Sequence, residues 1–127
     1  MPHFEIHATD TAAAQRFYSG LFGWSFDPMP GFEDEEYFLV SGPGIEPPLT
    51  GGLMRRMGDA PAAGAPVRGC TLTFEVADCD DRYAWALDNG GAEALPPTDY
   101  PGIGRAAYVE DGQGNIVGFL APSDAGA

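Results

Sequence analysis

A chain of 127 residues with 44% hydrophobic content has the usual size of one compact domain with its own core. No apolar run approaches the ~18 residues of a membrane span and no signal peptide is visible, so a soluble cytoplasmic protein is the default expectation. The 19 acidic residues stand against 6 basic ones, all arginine, for a net charge of -13. Such a chain cannot assemble the basic patch that neutralises phosphates, which excludes nucleic acid as a partner. The acidity is either a solvated surface or a preference for cationic ligands.

The first predicted element is HFEIHA. Side chains alternate across a strand, so His3, Glu5 and His7 share one face while Phe4 and Ile6 share the other. A helix follows, capped by Asp10 or Thr11, with Ala14, Phe17, Tyr18 and Leu21 at i, i+3, i+4 and i+7 and Gly23 as its stop. Two strand-like runs, WSFD and EYFLVS, are separated by the turn-rich PMPGFEDEE, whose EDEE at 33–36 reads as a solvated loop. A short run, TGGLMRR, completes the first half. Residues 58 to 69, GDAPAAGAPVRG, read as a linker.

The second half repeats the pattern. Residues 3–23 lie over residues 71–91 without a gap at a constant offset of 68, so that Ile6 falls on Phe74, Asp10 on Asp78, Phe17 on Trp85 and Gly23 on Gly91. A strand places Thr71, Thr73 and Glu75 on one face and Leu72, Phe74 and Val76 beneath a helix. Asp78 caps that helix, Tyr83, Ala86 and Leu87 form its apolar stripe, and Gly90 and Gly91 stop it. Phe17 and Trp85 are read as core residues. Then come AEAL, RAAYVE and IVGFLAP, with DGQGN as the last turn. The two cysteines, Cys70 and Cys79, flank a strand and so sit more than about 20 Å apart, too far to pair. They read as thiols in a reducing compartment. The architecture is a tandem βαβββ.

HFEIHATD with RFYSGLFGW, then GGLM, then EDGQGNIVGF resemble the vicinal oxygen chelate superfamily of glyoxalase I, extradiol dioxygenases and bleomycin-resistance proteins. The resemblance covers residues 3 to 121. It implies an α+β fold in which two βαβββ modules form a cupped mixed sheet around one cavity. The expected organisation is a single domain over 1–127: module one at about 1–57, the linker at about 58–69, module two at about 70–122 and a short C-terminal tail. Members built from two modules usually pair chains, so the resemblance also implies a homodimer.

In metal-dependent members the ligands come from the first and last strand of each module. His3 matches the first position. The second falls within GGLM at 51–54, where Met54 offers at most a weak thioether; the third falls on Thr71 and the fourth on Gly118. A catalytic zinc site takes three protein ligands and a non-haem iron site two histidines and a carboxylate. His3 supplies neither, so no metal and no cofactor is expected. His3 with Glu5, or Glu5 with His7, is an i, i+2 pair that could chelate locally, whereas His3 and His7 are about 13 Å apart along an extended strand. Without a metal, His3 is a polar cavity or edge residue, or a proton-transfer group.

The candidate cavity residues are His3, Glu5, His7, Met54, Thr71, Thr73, Glu75, Tyr100 and Tyr108, with Tyr37 as a further flat surface. If Glu5 and Glu75 both face inward, repulsion and desolvation raise at least one pKa, unless either pairs with an arginine such as Arg105. GPG and GIG do not sit at strand-to-helix junctions and no Lys follows them, so they do not read as phosphate loops. Nucleophilic catalysis has no motif behind it. The expected function is a small-molecule binder of the bleomycin-resistance type, or a metal-independent enzyme, whose ligand is cationic or aromatic. The alternative is a metal-dependent glyoxalase-like lyase, isomerase or dioxygenase.

Overall fold

A computed structural model describes residues 3–65 and 71–123. Cys70, the end of the linker and the C-terminal tail lie outside the described residues. The chain divides into two compact units, Met1–Ala60 and Pro61–Ala127.

The first unit runs β1 (His3–Ala8), α1 (Thr11–Phe22), β2 (Ser25–Pro28), β3 (Phe38–Ser41) and β4 (Thr50–Arg55). Its sheet has the order β1-β4-β3-β2, with β1 and β4 parallel and the other pairs antiparallel. The alternation of HFEIHA is realised as expected. Phe4, Ile6 and Ala8 are buried while His3 and Glu5 are exposed and His7 is half-buried. Helix α1 packs on β1, β2 and β4. Asp10 caps it by accepting from the Ala13 N–H at 3.0 Å, and Gly23 ends it at φ 78°, a left-handed conformation that favours a residue without Cβ. Ala14, Phe17, Tyr18 and Leu21 are its buried stripe. Trp24 joins them, stacked on Tyr18 with ring centroids 5.4 Å apart, its Nε1–H donating to the Pro43 carbonyl.

The second unit repeats the order with β5 (Leu72–Glu75), α2 (Cys79–Asp88), β6 (Ala92–Tyr100), β7 (Gly104–Glu110) and β8 (Ile116–Pro122). Its sheet has the order β5-β8-β7-β6, again with the first pair parallel. Phe74, Val117, Phe119, Ala107 and Val109 form the buried face. The turn between β7 and β8 is organised by Asp111. This buried carboxylate accepts from the N–H groups of Gln113 and Asn115 and from the Asn115 side-chain amide.

Four sequence expectations need correction. Trp85, read as a core residue beside Phe17, is only half-buried, with the Arg82 guanidinium over its ring. Leu87 is 38% exposed, whereas Cys79 is buried at the start of α2. The helix is ten residues long and its inward stripe runs from Cys79 to Ala86, which leaves Leu87 one step off the face. The strand begun by AEAL continues through Pro96 and Pro97 to Tyr100, with register shifts around Leu95. It can do so because β6 is an edge strand, where the missing proline N–H groups break no ladder. Finally, EDEE is not wholly a solvated loop. Glu36 accepts from the Thr11 hydroxyl at 2.7 Å and from Arg55 at 3.1 Å, which fastens the turn before β3 to the start of α1 and the end of β4.

Candidate functional site

In each unit the helix covers one face of the sheet and leaves a polar row on the other. In the first unit that row is built on β1 and β4, where register sets His3 beside Thr50, Glu5 beside Gly52 and His7 beside Met54. Tyr37, held by the turn that Glu36 fastens, extends its ring over Gly52. A Cβ at residue 52 would stand 2.2 Å from the Tyr37 hydroxyl, so this approach requires glycine. Gly51 does the same on the opposite face for Phe4, whose ring carbon would lie 2.3 Å from an added Cβ. The GG pair of β4 is therefore a double ring seat.

The Tyr37 hydroxyl donates to Glu5 Oε2 at 2.8 Å and lies 2.9 Å from His3 Nε2. His3 Nδ1 lies 2.6 Å from the Thr50 hydroxyl, and His7 Nε2 lies 3.2 Å from Glu5 Oε1. An ionised carboxylate accepts and cannot donate, which orders the protons along the row. Tyr37 gives its proton to Glu5, so its oxygen accepts from His3 Nε2–H. His3 Nδ1 shares its bond with the Thr50 hydroxyl, and His7 donates to Glu5. These assignments follow from the network.

The charge follows the same contacts. The hydrogen bond from Tyr37, then that from His7, holds the Glu5 carboxyl below its ordinary pKa. Of the two carboxyls for which at least one raised value was expected, Glu5 is lowered, because its carboxylate meets donors. Loss of water and the bond to Glu5 push the Tyr37 phenol up to about 12. Arg105 pairs with neither glutamate. It bonds Asp80 at 3.0 Å and Asp99 at 2.9 Å, joining α2 to the end of β6.

The second unit carries a related row. Thr73 on β5, Gly118 on β8 and Tyr108 on β7 are cross-strand neighbours. The Tyr108 ring lies over Gly118, where an added Cβ would stand 2.4 Å from a ring carbon, and Thr73 donates to the Tyr108 hydroxyl at 3.3 Å. Both belong to a cavity of about 330 Å³ lined by Thr73, Tyr100, Ile103, Ala106, Tyr108 and Leu120. Its floor is polar at Thr73 and Tyr108, and its wall is apolar at Ile103, which is 61% exposed. Thr71 precedes β5 and Glu75 lies opposite Leu120; neither lines this cavity. A second cavity of about 400 Å³ shares Tyr100 and surrounds the Pro101–Gly104 turn, with Asp99, Arg105 and Ser123 on its wall.

The positions at which the resemblance places metal ligands hold His3, the GGLM run, Thr71 and Gly118. Both His3 nitrogens are engaged, by Tyr37 and Thr50. Gly51, Gly52 and Gly118 carry no donor side chain, and tyrosine rings cover two of them. Among the described residues, no group of three or more His, Cys, Asp or Glu side chains converges as an ion would require. Thr50, which meets His3, is the member the sequence reading did not name, and Tyr37 was read only as a flat surface and not as the partner of Glu5. The signal that points to Tyr37 is the glycine pair inside a strand, which marks a close approach by another group.

The fold so built is that of the vicinal oxygen chelate proteins: α+β, with two mixed four-stranded sheets from successive βαβββ units. Among solved structures, a glyoxalase/bleomycin resistance protein from Albidiferax ferrireducens T118 matches with a TM-score of 0.65 at 21% identity, covering 95% of this chain and 97% of that one. TnmS3, an antibiotic binding protein from Streptomyces sp. CB03234, matches with a TM-score of 0.65 at 22% identity, covering 97% and 95%. CFP32, a candidate glyoxylase of Mycobacterium tuberculosis and Mycobacterium bovis, is 27% identical over 117 residues. That match takes in 91% of this chain and 42% of the relative's own length. No protein-family model matches the chain. Among the described residues, no helix is long and apolar enough to cross a membrane.

Proposed function

We propose that this chain binds an organic small molecule without the family's metal ion, as a binder of the bleomycin-resistance type or a metal-independent enzyme. The observation that carries this reading is the loss of the ligand set. His3 has both nitrogens in hydrogen bonds, and glycines under tyrosine rings stand where further ligands belong. The likeness to TnmS3, an antibiotic binding protein, supports it at the level of fold. The ligand class follows from charge. Glu5 keeps an ionised carboxylate on an exposed stretch of β1, opposite Gly52, in a chain of net charge -13, and this favours cationic, amine-bearing or aromatic compounds over anions. The candidate contacts are His3, Glu5, His7 and Met54 in the first unit and Thr73, Tyr100 and Tyr108 in the second.

The test is a thermal-shift panel of matched cationic and anionic aromatics with and without divalent metals and chelator, since whatever binds the native state raises its midpoint. Cationic compounds are expected to stabilise the chain, less so at high salt and less in Glu5→Gln. Stabilisation by metals and anions instead would favour the second reading, a metal-dependent lyase, isomerase or dioxygenase, to which the name of CFP32 points. We also propose a homodimer in the reducing cytoplasm; light scattering is expected to give about twice the 13.4 kDa chain mass, and a monomer mass at micromolar concentration rejects it.

A further inference from the structure

We propose that the second unit carries a pocket for a neutral, planar carbonyl compound, whose carbonyl oxygen accepts hydrogen bonds from the Thr73–Tyr108 hydroxyl pair and from the Tyr100 phenol. This pocket rests on the reading above, that the ligand is an organic small molecule, and adds a chemical class for the second unit that charge alone does not give. At the repeat's offset of 68, Glu5 falls on Thr73. Each faces a glycine in register on the adjoining parallel strand, Glu5 opposite Gly52 and Thr73 opposite Gly118. A tyrosine ring covers each glycine, Tyr37 in the first unit and Tyr108 in the second. What differs is the group that the phenol meets, a carboxylate at Glu5 and a hydroxyl at Thr73.

The exchange frees a proton. An ionised carboxylate only accepts, so the Tyr37 proton is committed to Glu5, as the Tyr83 proton is to Glu93. Thr73 and Tyr108 are instead two hydroxyls joined by one bond of 3.3 Å. Whichever way that bond runs, one of their two protons is left for a further acceptor. Tyr100 adds a second donor, because among the described residues its hydroxyl meets no hydrogen-bond partner.

These donors share one lining. Thr73, Tyr100 and Tyr108 border the cavity of about 330 Å³ with Ile103, Ala106 and Leu120, and among the described residues no charged side chain lines it. Its volume stands at the low end for small-molecule sites, which suits one ring or two fused rings. Ile103, 61% exposed, offers an apolar wall that a flat ring would cover. Its turn is fixed at both sides, by the Ile103 N–H donating to the Tyr100 carbonyl at 2.9 Å and the Ile103 carbonyl accepting from the Ser123 N–H at 3.1 Å. An ion of either sign would give up water here without meeting an opposite charge. A plain hydrocarbon would cover the donors and leave them unpaired. A carbonyl on a flat ring satisfies the wall and the donors together.

The experiment is a titration followed by NMR at the methyl signals of Ile103 and Leu120, using four probes on the full chain. Coumarin is flat and neutral with a carbonyl, indole is flat and neutral without one, coumarin-3-carboxylate is an anion and 1-naphthylmethylammonium a cation. Coumarin is expected to move both signals and to bind at least about fivefold tighter than indole, the worth of one net hydrogen bond, with no dependence on salt. Tyr108→Phe and Tyr100→Phe keep the rings and remove the hydroxyls; each is expected to weaken coumarin about fivefold and to leave indole within about twofold, with circular dichroism confirming the fold. Coumarin no tighter than indole, unchanged coumarin affinity in either folded variant, or tighter binding of the carboxylate would overturn the assignment of a neutral carbonyl ligand. If the cation stabilises the chain while coumarin leaves Ile103 and Leu120 unmoved, the pocket assignment is wrong and the small-molecule reading stands. If no organic probe binds and divalent metals alone stabilise the chain, both fall.

Discussion

Phe119→Ala is expected to lower the unfolding free energy by about 3–5 kcal/mol, the cost of removing a large aromatic from a filled core. Phe119 is fully buried at the centre of β8, opposite Phe74 on β5 and Ala107 on β7. Its neighbour across β7 is already an alanine, so nothing beside it on that strand is long enough to swing into the space. The lost transfer energy and the residual cavity therefore add. Against a total stability of about 5–15 kcal/mol for a domain, such a loss is about a fifth or more of what holds a typical fold. Met57→Ala, at a side chain 85% exposed, is the matched control and should change stability by no more than about 0.5 kcal/mol. Urea unfolding of both variants checks the pair. A Phe119→Ala midpoint within error of the Met57→Ala midpoint would mean that the β8 face is not a packed core.

Most of the fold was legible because it is written in local periods. The period of two in HFEIHA assigns Phe4, Ile6 and Ala8 to the core, and the spacing of Ala14, Phe17, Tyr18 and Leu21 sets the buried stripe of α1. Gly23 and the two aspartate caps mark where helices end and begin. The site was less legible because its contacts are long-range. Tyr37 reaches β1 and β4 from a turn that precedes β3, and no local pattern reports that its partner is Glu5, 32 residues away. The same holds for Glu36, which looked like one more charge in an acidic run until Thr11 and Arg55 were found against it. The lowered pKa of Glu5 was hidden for the same cause: burial and repulsion can be guessed from composition, whereas a hydrogen bond from a distant phenol cannot.

The two units use the same device with different parts, and a double-mutant cycle in the second unit isolates it. Tyr108 sits directly opposite Gly118 on the neighbouring strand, whereas Leu39 is the residue opposite Gly52 and Tyr37 reaches that glycine from the turn. In both cases a glycine lets a phenol lie flat on the sheet and meet the first strand, at Glu5 or at Thr73. Gly118→Ala would put a Cβ 2.4 and 2.6 Å from Tyr108 ring carbons and 2.8 Å from Thr73 Oγ1, closer than non-bonded carbons approach, so the ring must leave its seat. Its way out is into the cavity of about 330 Å³ that it lines. Gly118→Ala alone is expected to cost about 1–3 kcal/mol, as overpacking does, and to shrink that cavity. In a Tyr108→Ala background the same change meets mainly the Thr73 hydroxyl, which can rotate, and should be close to neutral. The coupling energy between the two positions is then about 1–3 kcal/mol, within the range for residues in contact. Equal costs of Gly118→Ala in the presence and absence of the ring would show that Tyr108 is not seated on the glycine, and that the cavity wall is set by other groups.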